Sequence, residues 1–457
     1  MTQIETQMQQ YITPGRHVHM VGIGGVSMSS LAEVLHQNGT IITGSDWQES
    51  AKTKHLRELG ITIHIGAQKA ENIHGADCII RTAAAGNNNP EIAAAHEAGI
   101  PVFERAQAWG AIMQRYENAV CIAGTHGKTS TTSMTTHIFM AAQIDPTVMI
   151  GGTLPLIHSD YRVGNGNTII LESCEYCNSF HHFFPTIAVV LNVEADHLDF
   201  FKDLDEIKAS FRHFAKLAEQ SGHIVCNADD ENTMAALAGL PVFTFGITQN
   251  ANLRAENLVW EHGMPSFDIV VNGKVYTHLT LKVGGMHSVS NALAAASSAY
   301  LLGIDGNAVK EGLESFTGAG RRFEYRGEVN GAKLYDDYSH HPSELAALFS
   351  MAKSLGYERI ICAFQPHTYT RTKALFHDFV EQLKSVDQVI LAEIFAAREQ
   401  NTIGISSHDL AQEIPNAIFC PTLEEVADQL RRIARPGDLI LTVGAGNIVS
   451  VADALTR

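Results

Sequence analysis

The sequence predicts an α/β protein of three domains, each built around a mainly parallel sheet. Its 457 residues exceed what one hydrophobic core normally serves. Short apolar runs of strand length alternate with helical patterns along most of the chain, which is typical of βαβ units. Two glycine-rich turns each follow a predicted strand and open a predicted helix. We therefore expect domains at residues 1–115, 116–321 and 322–457, joined by short linkers and closing around shared clefts.

Composition and charge exclude several classes of protein. The formal net charge of −17, with no basic run, argues against nucleic-acid binding. The N-terminal segment is polar and lacks the apolar core of a signal peptide, and no apolar run approaches membrane-spanning length. Seven scattered cysteines fit free thiols in a reducing cytoplasm, where we expect the protein to act.

The first domain is predicted to be Rossmann-like. Its first strand, "HVHMV", leads into the turn "GIGGVSMSS", and an aspartate ends the next strand, "TIITGSD". This arrangement is similar to a dinucleotide-binding turn, although the third glycine is not at its usual place. The turn therefore predicts a bound nucleotide phosphate and leaves a nicotinamide dehydrogenase open as an alternative. The candidate binding residues are Gly22, Gly24, Gly25, Val26, Ser27 and Asp46.

The second domain begins with the stretch "CIAGTHGKTSTT", a shortened phosphate-loop pattern between a strand and a helix. Backbone N–H groups at the helix N-terminus would face an anion, and the lysine would add a positive charge. The alternative is an ordinary glycine-containing turn with an exposed lysine. We expect ATP to bind here, at Gly124, Thr125, His126, Gly127, Lys128, Thr129 and Ser130.

Two later strands of this domain end in groups that can bind a metal ion. "TIILE" ends at Glu172, and "IAVVLNVEADH" ends at Glu194, Asp196 and His197. Parallel strands bring their carboxyl ends to one edge, so these groups should lie beside the phosphate loop and hold Mg²⁺. A solvated carboxylate and a capping or core histidine are the alternatives. Near residues 250–283 the pattern becomes β-type, so the central domain is predicted as a P-loop ATPase-type parallel sheet with a small β-region.

The third domain is predicted to be a second Rossmann-like α/β unit. "DDYSHHP" and "FQPHTYTRTK" each follow a strand and carry histidines, with an arginine in the second. Arginine there suits a carboxylate or phosphate, so these loops favour an anionic substrate. Helix capping with exposed histidines is the alternative. The isolated pair Cys174 and Cys177 has no second pair nearby, and we expect ordinary packing thiols there.

Several motifs together resemble the Mur ligase family. "GTHGKTSTT", "NVEADHLD", "GAGRRFE", "DDYSHHPSE", "FQPHTYTRTK" and "VGAGN" occur in the family's order across all three domains. The resemblance implies ATP-dependent amide-bond formation on a nucleotide sugar, in peptidoglycan precursor synthesis. ATP would phosphorylate the lactyl carboxylate of UDP-N-acetylmuramate, and the amine of L-alanine would attack the acyl phosphate.

The same resemblance implies roles for individual residues. Lys128 would hold the β- and γ-phosphates, Thr129 and Glu172 the first Mg²⁺, and His197 a second. The first glycine-rich turn would bind the UDP-sugar. The resemblance also implies that ATP is contacted by a further set of residues: His287, Asn291, Arg322 and Asp337. The amino acid and the transferring phosphate would be handled by His340, His367 and Arg371; the catalytic set is then Lys128, His197, His340 and Arg371.

The chain departs from the family pattern at a few positions. Ser288 stands where asparagine is usual, Thr368 where arginine is usual, and "ESCEYC" replaces a commoner acidic stretch, which leaves the role of Glu175 open. Two alternatives remain: a relative that attaches a murein tripeptide to the same nucleotide sugar, and a nucleotide-binding regulator without ligase activity. Oligomeric state is left open by the sequence.

Overall fold

The computed structural model describes residues 8–82, 84–198, 200–218, 222–397 and 399–456. Asp199 of the "DHLD" motif lies outside these residues. Within them the strands form three sheets, of five, ten and six strands, and each sheet draws its strands from one continuous part of the chain. The predicted α/β class is therefore confirmed. In the described part of the chain, no helix combines the length and apolar character needed to cross a membrane.

The first sheet is fully parallel, in the order β3-β2-β1-β4-β5. Its strands are β1 (His17–Val21), β2 (Ile41–Asp46), β3 (Thr62–Ile65), β4 (Cys78–Arg81) and β5 (Val102–Glu104). The helices of this region are α1 (Val26–Gln37), α2 (Ala51–Glu58), α3 (Pro90–Glu97) and α4 (Arg105–Met113). Because the strand order reverses between β1 and β4, the carboxyl end of β1 opens onto the crevice where such sheets bind ligands.

The second sheet has the order β15-β14-β13-β12-β11-β10-β6-β9-β7-β8. The strands are β6 (Asn118–Ala123), β7 (Thr147–Leu154), β8 (Ser159–Arg162), β9 (Thr168–Glu172), β10 (Ile187–Val190), β11 (His223–Asn227), β12 (Val242–Gly246), β13 (Leu253–Glu261), β14 (Met264–Val271) and β15 (Lys274–Thr280). The helices are α5 (Lys128–Ala141), α6 (Leu204–Lys216), α7 (Glu231–Ala236), α8 (Met286–Leu301) and α9 (Gly306–Ser315). The predicted β-region is the antiparallel run β13–β15, which continues this sheet because β13 pairs with β12.

The third sheet has the order β16-β17-β21-β18-β19-β20 and is parallel except for β16 at its edge. The strands are β16 (Glu324–Val329), β17 (Ala332–Asp337), β18 (Arg359–Phe364), β19 (Gln388–Ala392), β20 (Ile418–Cys420) and β21 (Asp438–Val443). The helices are α10 (Pro342–Ser354), α11 (Tyr369–Ala374), α12 (Phe376–Leu383), α13 (Ser407–Glu413), α14 (Leu423–Ile433) and α15 (Val449–Leu455).

Helix α5, which follows the phosphate loop, is buried although it is rich in serine and threonine. Its hydroxyls donate to carbonyl oxygens one turn earlier; Thr132, Ser133, Thr135 and Thr136 each do so at 2.8 Å. These bonds satisfy polar groups that would otherwise be costly to bury. Helix α9 packs closely against α5, since a β-carbon at Gly312 would lie 2.4 Å from the α-carbon of Ile138. The helix that carries the phosphate loop is thus fixed in the core.

The first and second sheets share one apolar core. The cluster contains Trp109 of α4 together with Phe180 and Phe214 of the second region. The approach is close, because a β-carbon at Gly110 would lie 1.9 Å from the carbonyl oxygen of His182. The turn after β1 is therefore held in a defined position relative to the second sheet.

Candidate functional site

The phosphate loop connects β6 to α5 and is anchored by the segment after β10. The N–H of His126 donates to Oδ1 of Asn192 at 2.7 Å, and the N–H of Thr125 to the Asn192 carbonyl at 3.1 Å. Gly127 has a φ of +82°, and a β-carbon there would lie 2.7 Å from Oδ1 of Asn291. Glycine is required by both constraints. The first amides of α5 have no partner further back in the helix and can face an anion.

The ammonium group of Lys128 folds back over this loop. Nζ donates to the carbonyl oxygens of Gly124 and Thr125, and it pairs with Oε2 of Glu175 at 3.0 Å. Burial alone would lower the pKa of Lys128, but the carboxylate of Glu175 outweighs burial and raises that pKa. The lysine is thus a permanent cation at the loop, with a carboxylate as its present partner.

The three residues predicted to bind metal lie on three elements around Lys128. Thr129 is in the first turn of α5, Glu172 ends β9, and His197 follows β10. The Oε2 of Glu172 accepts the N–H of Gly151 at 2.6 Å, and a β-carbon at Gly151 would lie 2.4 Å from Oε1. Glycine at that position therefore leaves room beside the carboxylate.

His197 lies after β10, which flanks β6 on the side away from β9. Its Nε2 lies 3.7 Å from Oε1 of Glu175 and 3.8 Å from Oδ2 of Asp196. Burial lowers the pKa of the His197 imidazole, which keeps a nitrogen lone pair available for coordination. Thr129 and Glu172 offer oxygen ligands for one divalent cation, and the neutral imidazole of His197 offers a nitrogen ligand for a second.

Residues expected on the ATP side lie between the second and third sheets. Asn291 is packed beneath the phosphate loop, as the Gly127 contact shows. Asp337 is buried and accepts the backbone N–H groups of Phe323 and Ser339, both at 2.8 Å. Arg322 lies over the ring of Tyr338, 5.2 Å from its centroid.

His287 lines a cavity of about 340 Å³ between α8 and α10, with Trp260, Met286, Ala347 and Met351 among the other lining residues. A cavity of this size is at the lower end of small-molecule sites. It places His287 beside space that an adenine ring could fill.

His340, His367 and Arg371 do come together. The ring centroids of the two histidines are 5.8 Å apart, and Nη1 of Arg371 lies 3.2 Å from Nδ1 of His367. The fork of Arg371 is engaged by Asp196 of the second domain, with Nε and Nη2 donating to Oδ1 at 3.0 and 2.8 Å. The burial penalty on the Asp196 carboxylate is outweighed chiefly by Arg371, which lowers its pKa. Two domains therefore meet at this pair.

The first glycine-rich turn is organised by Asp46. Its Oδ2 accepts the N–H of Gly24 at 2.8 Å. A β-carbon at Gly24 would lie 2.9 Å from both Asp46 and Thr53, whereas one at Gly25 would have no neighbour closer than 3.5 Å. A side chain at Gly24 thus collides with the protein itself, and Gly25 is the position that leaves a ligand room.

Two further residues of this turn differ in their exposure. Ser27 accepts a hydrogen bond from Nε1 of Trp109 at 3.1 Å and lies 2.9 Å from the sulfur of Met149, in β7. Val26 is 46% exposed and faces solvent. Since β7 also carries Gly151, this strand contacts both the turn and Glu172. Gly22 has a φ of +78°, which suits the sharp exit from β1.

The departures from the family pattern have visible consequences. Ser288 is buried and donates to the carbonyl of Gly284 at 2.7 Å, so its hydroxyl serves the start of α8. Thr368 adopts a φ of +67°, an unfavourable conformation for a β-branched residue, directly before α11. Cys174 and Cys177 are both exposed, so the expectation of packing thiols is wrong. Both cysteines flank the segment that brings Glu175 to Lys128.

The structure adds residues that the sequence reasoning did not assign. Glu175 pairs with Lys128, and Asn192 anchors the loop. Ser343 and Glu344, at the start of α10, contact His126. These contacts join distant segments of the chain, so no local pattern predicts them. Asp196, which the sequence offered as a metal-binding group, engages Arg371.

Family models match most of the chain. The model described as "Mur ligase family, catalytic domain" matches residues 17–117, the "Mur ligase middle domain" residues 122–299, and the "Mur ligase, glutamate ligase domain" residues 321–446. A protein of Agathobacter rectalis named UDP-N-acetylmuramate–L-alanine ligase is 45% identical over 96% of this chain and 98% of its own length.

Solved structures agree with this relationship. The UDP-N-acetylmuramate–alanine ligase of Thermotoga maritima superposes with a TM-score of 0.80 at 29% identity, covering 96% of this chain and 98% of that one. A murein peptide ligase of Psychrobacter arcticus shares the fold, with a TM-score of 0.72 at 23% identity over 96% of this chain and 98% of its own. The resemblance seen in the motifs is confirmed: the chain belongs to the Mur ligase family.

Proposed function

We propose that this chain joins L-alanine to the lactyl carboxylate of UDP-N-acetylmuramate at the expense of ATP, as a cytoplasmic step of peptidoglycan precursor synthesis. The observation that carries the proposal is a run of contacts in which Glu175 lies beside Lys128 and His197, and Asp196 lies beside His197 and Arg371. The sequence is also 45% identical over nearly its whole length to a ligase of that name. A regulator without ligase activity would have no need to keep these groups together.

The phosphate loop and Lys128 bind the ATP phosphates in this proposal. The lysine exchanges its contact with Glu175 for the β- and γ-phosphates, and the α5 amides face the same anion. Thr129 and Glu172 would hold one Mg²⁺ and His197 a second, and these cations would supply positive charge where two anions must meet. The first turn binds the diphosphate of the nucleotide sugar through its free helical amides at Val26 and Ser27.

The reaction then follows from charge and position. The lactyl carboxylate oxygen attacks the γ-phosphorus of ATP, releasing ADP and forming an acyl phosphate. The L-alanine amine attacks the carbonyl carbon, phosphate leaves, and the amine loses its proton. That proton goes to solvent. Burial of the His340 imidazole, reinforced by Arg371, lowers its pKa to about 3, so the neutral ring can accept a hydrogen bond from the amine and orient it. Arg371 and His367 orient the amino acid carboxylate and the leaving phosphate.

The closest alternative attaches a preformed murein tripeptide to the same nucleotide sugar. The two reactions share every step except the size of the incoming amine. The test is to incubate the protein with ATP, Mg²⁺ and UDP-N-acetylmuramate, supply L-alanine, glycine, L-serine or the tripeptide in turn, and identify products by mass spectrometry. We expect the L-alanine adduct. Formation of the tripeptide adduct with L-alanine ignored would replace the proposal by its alternative, and no adduct with any amine would reject ligation.

A further inference from the structure

The phosphate loop contacts the third domain through the side chain of His126. Its Nε2 lies 3.0 Å from Oγ of Ser343 and 3.5 Å from Oε2 of Glu194, and its Nδ1 lies 3.1 Å from Oε1 of Glu344. The His341 ring is 4.9 Å away, centroid to centroid. Burial alone would lower the pKa of His126, but Glu344 and Glu194 outweigh burial and raise it to about 9. A loop that faces ATP phosphates thus carries a cation directed at α10.

Glu344 uses its two oxygens for two different purposes. Oε2 accepts the backbone N–H groups of His340 at 2.9 Å and His341 at 3.2 Å, which completes the capping box of α10. Oε1 faces outward, 3.1 Å from His126 and 3.8 Å from Nη1 of Arg322. Both cations oppose the burial penalty and, together with His340, hold the pKa of this carboxyl well below its usual range.

A bound metal ion is a second way to read the same cluster. Ligand atoms of His126, Glu194 and His341 lie within 4.8 Å of one another. The hydroxyl of Ser343 stands among them, however, 3.0 Å from His126 Nε2 and 2.8 Å from His341 Nδ1. Because the nitrogens that face Glu194 already share this hydroxyl, the cluster forms a hydrogen-bonded contact between domains.

We propose that Glu344 is a positioning residue that couples the phosphate loop to the third domain by holding His126 and Arg322 on one oxygen while its other oxygen fixes the start of α10. The inference rests on the ligation proposed above, because His340, whose N–H bonds to Glu344, is the residue that meets the incoming amine. ATP that orders the loop would thereby also order the amino acid site, and the closed arrangement would bind both substrates better than the open one.

Replacement of Glu344 by glutamine separates the helix cap from the ion pairs with His126 and Arg322. Glutamine also serves as the third residue of a capping box, so α10 keeps its start. The charge facing His126 and Arg322 is lost. We expect kcat/KM for ATP to fall about ten- to a hundredfold, a typical cost of a misplaced active-site group. Asp409→Asn is the matched control, because Asp409 closes the capping box of α13 by accepting the N–H and hydroxyl of Ser406; its kinetics should match the wild type.

A second measurement does not depend on the reaction. The pKa of His126 is read by NMR from its ring proton, assigned by its absence in His126→Gln. The titrating groups that face this ring are Glu194, Glu344 and His341. In Glu344→Gln the pKa of His126 should fall below its wild-type value, and hydrogen exchange of residues 124–128 should quicken.

A double-mutant cycle completes the test. His126→Gln and Glu344→Gln should each lower kcat/KM for ATP, and the double variant should be little worse than either alone. Additive losses, or an unchanged His126 pKa in Glu344→Gln, would overturn the coupling. Added Zn²⁺ that binds the wild type and not His341→Gln would favour the metal site instead. If the wild type shows no ligation but the His126 pKa still falls in Glu344→Gln, the proposed function is rejected and the contact between domains stands.

Discussion

The two glycine-rich turns of this protein have the same place in their sheets and opposite chemistry. The turn after β1 is closed by a carboxylate, since Asp46 accepts the N–H of Gly24. The turn after β6 is closed by a neutral amide, since Asn192 accepts the N–H of His126, and a lysine lies above it. Asp46 fixes the shape of the first turn and adds no positive charge there, so any anion at that turn must be held by backbone N–H groups. A turn built with a cation suits the phosphate that is transferred.

Glycine spacing thus predicts where phosphate can approach, whereas the neighbouring charges decide what happens to it. The second turn also contacts the third domain through His126, and the first is fixed to the second sheet through Ser27. We therefore expect the first turn to bind its nucleotide without moving, and the second turn to bind ATP and transmit that binding to the third domain.

The largest effect should come from Lys128→Met, which removes the cation of the second turn. We expect kcat to fall by about 10²–10³-fold, as when other charge-stabilising donors are lost. The variant also leaves Glu175 buried without its partner, so Lys128→Met/Glu175→Gln should recover stability without recovering activity. Stability is followed by thermal unfolding and activity by ADP release. If Lys128→Met keeps activity within a few-fold of wild type, this turn does not bind the ATP phosphates.

Glu172→Gln should come next, because it removes a charge from the metal site while the amide oxygen can still accept the N–H of Gly151. We expect about a hundredfold lower turnover at millimolar Mg²⁺, partly recovered at higher Mg²⁺. Binding of the nucleotide sugar measured without Mg²⁺ should not change. Normal turnover at ordinary Mg²⁺ would remove Glu172 from the metal site.

Arg371→Lys tests the third substrate, which neither turn should bind. Lysine keeps the charge and loses the planar fork that engages Asp196. We expect KM for L-alanine to rise about ten- to a hundredfold, equivalent to roughly 1.4–3 kcal/mol. KM values for ATP and the nucleotide sugar should stay near wild type. An unchanged KM for L-alanine would shift the role to His340.

Gly25→Ala tests whether the first turn binds the nucleotide sugar. A β-carbon there has its nearest protein neighbour at 3.5 Å, so the fold should tolerate it and any effect must come from the ligand. We expect KM for the nucleotide sugar to rise about tenfold, or roughly 1.4 kcal/mol, with KM for ATP unchanged. Equal increases for both substrates in steady-state kinetics would mean that the turn does not discriminate between them.

The smallest effect concerns His340 and the pH dependence of the free energy of unfolding. The folded-state pKa of His340, about 3, lies below the ordinary value of 6.5, so the unfolded chain takes up a proton more readily as the pH falls below that value. The free energy of unfolding should therefore decrease on acidification. His340→Gln should reduce this dependence by up to about 1.4 kcal/mol per pH unit between pH 5 and 6. Urea unfolding at several pH values checks this, and an unaltered slope would contradict it.

Sequence reasoning reached the fold and the family because both depend on local patterns. Strand and helix periodicity, and the glycines before α1 and α5, are properties of short segments. The partner of Lys128 was out of reach, since Glu175 lies in the segment after β9 and meets the lysine only in the tertiary fold. Glu344 was hidden for a similar reason: its role depends on how the third domain meets the phosphate loop, and no spacing encodes that. The packing role expected for Cys174 failed because burial depends on tertiary contacts.

The central claim is that the two turns bind two different nucleotides, and crossed binding measurements test it most directly. Dissociation constants for UDP-N-acetylmuramate and for Mg²⁺-ATP are measured by calorimetry on the wild type, Gly25→Ala and Lys128→Met. Gly25→Ala should weaken binding of the nucleotide sugar only, and Lys128→Met should weaken binding of ATP only. If both variants weaken the same ligand, or if each weakens both equally, the division of labour between the two turns is contradicted.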